Sequence, residues 1–127
     1  MGTKKAIKYI EFKGGVSALG ARIGNVSLSK SGRTLRYKGR EFSSLKGQGF
    51  KANYYDIETG DHYWISNCRK DGNDGLYNIK IYIDDDIREK YWREIRNLPN
   101  RINQDNFVSR GKHRVGRYDL KNKTGNV

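Results

Sequence analysis

Arg33, Arg36, Lys38 and Arg40 crowd around Tyr37, and this interleaving of cations with an aromatic ring is the most chemically suggestive pattern in the chain. Arg22 precedes the cluster; Lys46 and Lys51 follow it, then Tyr54 and Tyr55. Guanidinium and ammonium groups neutralise phosphates, and an exposed Tyr ring stacks on a base. A second basic cluster, Arg110, Lys112, Arg114 and Arg117 with His113 among them, lies near the C-terminus. The expected contact set for nucleic acid is therefore Arg22, Arg33, Arg36, Lys38, Arg40, Lys46, Lys51, Tyr37, Tyr54, Arg110, Lys112, Arg114 and Arg117. The competing account of the same residues places the Tyr rings in a core and the cations in solvent.

Other groupings carry less chemistry. Asp84, Asp85 and Asp86 are contiguous, so their side chains diverge and suit a helix start better than a cation site. Asp56, Glu58, Asp61 and His62 crowd one hairpin tip, which a small metal-dependent nuclease could use, but a turn rich in Asp, Gly and Thr explains them as well. Gly14-Gly15-Val16-Ser17-Ala18-Leu19-Gly20-Ala21-Arg22 has the glycine spacing of a phosphate loop, yet Ala21-Arg22 stands where Lys and Ser/Thr are required. Cys68 and His62 lack a third member for nucleophilic chemistry. A lone cysteine excludes an intrachain disulfide and a Cys-based zinc site. Neither a metal nor a cofactor is expected, and no residue is assigned a catalytic role.

The charge is unevenly spread. Lys and Arg number 26 against 14 Asp and Glu, a net +12. Residues 1–53 are strongly basic, residues 54–99 are slightly acidic, and residues 100–127 are basic again. A surface divided in this way orients a polyanionic partner. A membrane is disfavoured, since no apolar run approaches the ~20 residues of a spanning helix. Met1-Gly2-Thr3-Lys4-Lys5-Ala6 has no apolar stretch of a signal peptide, and Ala6 occupies the Ser/Thr position of a myristoylation motif. The expected setting is the reducing cytoplasm.

The elements that must position these groups are mostly strands. Ile7–Phe12 is rich in β-formers. Val26–Ser29 and Arg33–Tyr37 flank the turn Lys30-Ser31-Gly32 as a hairpin, with Val26, Leu28, Leu35 and Tyr37 on one face. Glu41-Phe42 restarts after Lys38-Gly39-Arg40. Residues 53–57 and 62–66 flank a second turn. From 77 to 83, Tyr77, Ile79, Ile81 and Ile83 share a face. One amphipathic helix follows, with Asp86 and Glu89 as a capping box and Ile87, Tyr91, Trp92, Ile95 and Leu98 as its apolar side. Glu89–Arg93 and Lys90–Glu94 pair along it, and Pro99 stops it. Short strands, tight turns and one late helix predict a mainly β fold: a small SH3-like or OB-like antiparallel barrel of 5–6 strands, a C-terminal helix and a basic tail. The domain is expected over residues 1–99, with residues 100–127 as a basic, mobile arm.

Lys8-Tyr9-Ile10-Glu11-Phe12-Lys13-Gly14-Gly15, Ala18-Leu19-Gly20-Ala21-Arg22-Ile23-Gly24, Ser44-Leu45-Lys46-Gly47 and Tyr63-Trp64-Ile65-Ser66 carry a resemblance. Over Lys8 to Pro99 the chain resembles a family of small bacterial proteins of unestablished function, some of whose members bear the label 1-deoxy-D-xylulose-5-phosphate synthase. The residues oppose that label, because the thiamine-diphosphate motif of such enzymes begins Gly-Asp-Gly and here Gly60-Asp61 is followed by His62. The resemblance implies a compact bacterial domain and supplies no catalytic residue.

Charge, aromatics and fold class together predict a non-catalytic cytoplasmic module that binds RNA or single-stranded DNA. The alternative is a protein-interaction module, an inhibitor, immunity or accessory factor, that docks an acidic protein partner. A small nuclease is the third reading.

Overall fold

Alternation of apolar and polar side chains with period two builds the strands of this protein, because a strand sends successive side chains to opposite faces. The computed structural model describes residues 4–13, 20–45, 52–75 and 78–110. Eight strands are present among them: β1 (Lys4–Phe12), β2 (Ala21–Leu28), β3 (Thr34–Tyr37), β4 (Arg40–Ser44), β5 (Tyr54–Asp56), β6 (His62–Asn67), β7 (Ile79–Ile83) and β8 (Asn106–Ser109).

Each of the first five pairs antiparallel with the next, and β6 returns to pair antiparallel with β1. The six strands thus close into a barrel, the small SH3- or OB-like architecture that the sequence predicts. Closure removes the unpaired edges that an open sheet would leave. Strand β2 has two neighbours along its other edge. Ser27 and Leu28 face β3, while Ala21, Arg22 and Ile23 face β7 in parallel register. From that fork β7 leads outward to β8, so two further strands extend the barrel wall as a short wing.

The two faces of β1 and β2 feed two separate cores. Ile10 and Val26 point into the barrel with Leu35, Tyr37, Phe42, Tyr63 and Ile65. Tyr9, Ala21 and Ile23 point the other way and join Ile81, Ile83 and Phe107 beneath Ile87, Tyr91 and Trp92. The second core needs a cover, which is the task of the helical segment.

That segment departs from a regular helix. A 3-10 turn (Asp85–Ile87), one α turn (Arg88–Lys90) and a π turn (Tyr91–Ile95) follow one another directly. Tyr91 and Trp92 are adjacent in sequence and both fully buried. The wider π turn reduces the angle between successive side chains and lets both rings face the sheet. The Trp92 indole N–H donates to the Gln104 carbonyl at 2.8 Å. The expected capping box is absent: Asp84 occupies the N-cap in extended conformation and makes no side-chain cap bond. Glu89 pairs with Arg93 at 2.7 Å, whereas Lys90 and Glu94 do not pair. The segment ends at Asn97, whose φ of 56° is left-handed, with Leu98 N–H donating to the Trp92 carbonyl at 2.7 Å. Pro99 lies beyond that stop and opens a 3-10 turn, Pro99–Arg101.

Residue 100 is not where the chain leaves the domain. The segment after it returns to the sheet as β8, with Phe107 opposite Ile81 and buried against Trp92. What remains of the expected arm, residues 111–127, lies outside the described residues.

Candidate functional site

One mouth of the barrel gathers the end of β1, the start of β2, the β3–β4 turn and the β5–β6 turn. Tyr37 and Arg40 are joined by a two-residue turn whose central residues, Lys38 and Gly39, have φ of 49° and 78°. Both lie in the left-handed region, the geometry that matches the twist of a tight hairpin. Gly39 adopts it freely, but Lys38 carries a Cβ that makes the conformation costly.

Arg22 shares its strand face with Val26, so it points inward at this mouth. Parallel pairing with β7 sets Ile83 opposite Ile23, and Asp84 N–H then donates to the Ile23 carbonyl at 2.9 Å. The Asp84 carboxylate is thereby held against Arg22, accepting from Nε at 2.8 Å and Nη2 at 2.6 Å. Its other oxygen accepts the Tyr37 hydroxyl at 2.5 Å, and Lys38 Nζ stands 3.7 Å away. Gly24 makes room for this pairing, since a Cβ there would come within 2.5 Å of both Asp84 Oδ2 and the Tyr37 ring. Burial, reinforced by the bond to Asp84, pushes the Tyr37 hydroxyl well above its ordinary pKa. Burial works to lower the Arg22 guanidinium, but the hydrogen bond and charge of Asp84 outweigh it and raise the value.

Across the mouth, Arg40 donates to Asp56 Oδ2 at 2.7 Å. The other Asp56 oxygen accepts the backbone N–H groups of Glu58 and Thr59 at 2.9 and 3.3 Å, which fixes the β5–β6 turn. Burial opposes ionisation of Asp56, yet these donors hold its pKa below the ordinary carboxylate value. Between the two ion pairs opens a cavity of about 330 Å³ with an apolar floor of Ile10, Phe12, Phe42 and Tyr63 and a rim of Arg22, Lys38 and Arg40.

The wing continues this face. Ile79, Ile81 and Ile83 turn into the second core, which leaves Lys80 and Tyr82 on the opposite side of β7. Tyr82 sits beside Arg22 in the parallel register and is 40% exposed. The Arg22 guanidinium lies 6.0 Å from its ring centre and Lys80 Nζ 5.4 Å, both within cation–π range. Beyond Lys38 the surface changes sign, where Asp84, Asp85, Asp86 and Asp105 line a neighbouring hollow.

Of the residues that the sequence singles out, the fold brings Arg22, Tyr37, Lys38 and Arg40 together. It separates the others. Arg33 precedes β3 and so stands at the opposite end of the barrel, about 16 Å along the strand from Lys38. Arg36 points outward from β3, 3.6 Å from Glu41. Arg110 ends the edge strand β8, with its N–H bonded to Asn73 Oδ1 at 3.1 Å. Tyr37 and Tyr54 are not stacking platforms, because strand parity turns both rings into the barrel; the Tyr54 hydroxyl donates to the Gly32 carbonyl at 2.9 Å. Lys46, Lys51, Lys112, Arg114 and Arg117 lie outside the described residues. The residues that sequence reasoning missed are Lys80 and Tyr82. Their signal was present, since they alternate with the three isoleucines whose common face was recognised.

The remaining groupings dissolve into structure. Asp56 serves the β5–β6 turn, and among the described residues no group of three His, Cys, Asp or Glu side chains could hold a metal ion. His62 opens β6 and Cys68 follows its far end, so the two are about 20 Å apart along the strand. Burial raises the Cys68 thiol far above its usual pKa, which makes it a packed side chain and a poor nucleophile. Among the described residues no helix is long and apolar enough to cross a membrane. Compared with known protein families, with curated proteins and with solved structures, the chain matches none.

Proposed function

We propose that this protein is a non-catalytic module that binds single-stranded nucleic acid, RNA or DNA, across the barrel mouth and the adjoining face of β7. The observation that carries this reading is Tyr82, a half-exposed ring with Arg22 and Lys80 beside it, continuous with the rim formed by Lys38 and Arg40. The part of the ring left exposed takes an unpaired base, and the cations that lie over the rest of it take the backbone. A recessed mouth beside a stacking ring suits a strand whose bases are free rather than a closed duplex. The two buried carboxylates nearest the mouth, Asp56 and Asp84, are engaged on both oxygens, which suits binding better than acid–base chemistry.

The test is fluorescence anisotropy with labelled oligouridylate, oligothymidylate and a short duplex over a salt series. Single strands should bind more tightly than the duplex, with log K falling by roughly 0.7 per neutralised phosphate for each decade of salt. Tyr82→Ala should weaken binding about tenfold, the lower part of the range for one stacked base. Equal affinity of Tyr82→Ala and wild type would overturn the reading.

One observation favours a second reading. Among the described residues strand β8 is the outer edge of the wing, and Val108 on it is 66% exposed, so an acidic partner protein could add a strand there. Capture of one stoichiometric protein after nuclease treatment, lost on replacing Val108 with Pro, would support it.

A further inference from the structure

We infer that the barrel-mouth cavity takes one unstacked base of the bound strand, so that Tyr82 stacks one nucleotide while the cavity encloses a neighbour. This rests on the proposed single-strand binding and adds to it a base-reading pocket. A cavity of about 330 Å³ lies at the small end of the range for ligand pockets. Its floor is aromatic, with the Tyr63 ring 4.8 Å from Phe42 and 5.4 Å from Phe12 in edge-on contacts. Such a floor accepts a planar ring.

Two further observations define what the ring must carry. Of the rim cations, Lys38 is the most exposed at 57%, and its contact with Asp84 is the longest at 3.7 Å, so its ammonium group is placed to meet the phosphate of a bound nucleotide. Tyr63 lines the cavity, and among the described residues no hydrogen bond engages its hydroxyl, so the group is free to meet water or a ligand there. A base edge offers both donors and acceptors, so the hydroxyl is placed to read one. Tyr37, the other hydroxyl of the mouth, cannot do this, because it is committed to Asp84.

The experiment is a titration of oligouridylate, oligocytidylate and oligoadenylate into wild type and Tyr63→Phe, read by anisotropy and by NMR of the aromatic ring signals. Base insertion predicts shifts at the Phe12, Phe42 and Tyr63 rings as well as at Tyr82. Tyr63→Phe keeps the ring packing and removes only the hydroxyl. It should weaken the preferred oligomer about three- to tenfold, the effect of one neutral hydrogen bond, and narrow the differences among the three. Shifts confined to Tyr82 and the rim, with Tyr63→Phe matching wild type, would overturn the inference and leave single-strand binding standing. Failure of wild type to bind any oligomer would overturn both.

Discussion

A lysine in left-handed conformation at the lip of a cavity asks for a reason. Asn-Gly is the favoured pair for a turn of this type, because Asn tolerates a positive φ better than a long side chain does. Here the pair is Lys38-Gly39, and the ammonium group reaches toward Asp84 and over the Tyr37 ring at 5.8 Å. The ammonium group is 57% exposed and its contact with buried Asp84 is long, so the pair contributes at most about 1 kcal/mol, against a backbone cost of about 1–2 kcal/mol for a residue with a Cβ. A role in the proposed nucleic-acid binding would account for the choice. Lys38→Asn is expected to raise the unfolding free energy by about 1 kcal/mol in urea titrations, through relief of that cost. It is also expected to weaken oligonucleotide binding and to flatten the salt dependence by about 0.7. Greater stability with unchanged binding would remove Lys38 from the interface.

Among the elements, the turns at the mouth are tied to one another by charge as well as by strand pairing. Arg40 begins β4 and Asp56 ends β5, and their bond clamps the β3–β4 turn to the β5–β6 turn. The carboxylate's pKa is depressed in the native state, so its stabilising effect is complete above the ordinary value of 3.8 and disappears as pH falls through the native value. Asp56→Asn should therefore be less stable than wild type at neutral pH, and the gap should close below about pH 4 in unfolding curves measured across that range. Some acid sensitivity will remain in the variant, because Arg69 also holds the Asp71 carboxylate low. A gap independent of pH would mean that Asp56 acts by shape alone. Most of these elements were legible in the sequence, since the alternation in β1, β2, β3 and β7 is written in isoleucine, leucine, valine and tyrosine. Strand β8 was not, because Asn106-Phe107-Val108-Ser109 is short, has polar neighbours in sequence and gains its order from β7 and from Phe107 packing on Tyr91 and Trp92. Nor was the role of Asp84, which depends on partners distant in sequence, whereas local propensity favours reading three consecutive acids as a helix start.

At the scale of the whole molecule, the candidate site was half legible. Charge density near Tyr37 pointed to the turn that lines the mouth, but facing is a question of parity, and parity sent Tyr37 and Tyr54 inward and brought Tyr82 out. The same folding dispersed Arg33, Arg36 and Arg110, so the cations described around the mouth are few and partly balanced by Asp56 and Asp84. Such a face can choose where and how a strand docks, but it neutralises few phosphates by itself. Further electrostatic attraction would have to come from elsewhere in the chain, and Lys112, Arg114 and Arg117 are the next cations in sequence after Arg110. If they contact the backbone of a bound strand, replacing all three with Gln in the full-length protein should weaken every oligomer by a similar factor. The slope of log K against log salt should then become shallower by up to about 2, since each phosphate contact contributes roughly 0.7 for single strands. Preference among bases should be unchanged, because phosphate contacts position a strand and base contacts specify it. Tyr82→Ala and Tyr63→Phe should behave in the opposite way, altering affinity and preference with the salt slope intact. Anisotropy titrations of the same oligomers at several salt concentrations separate these patterns. A salt slope unmoved by the triple substitution would place the whole electrostatic contact on the barrel mouth and the wing.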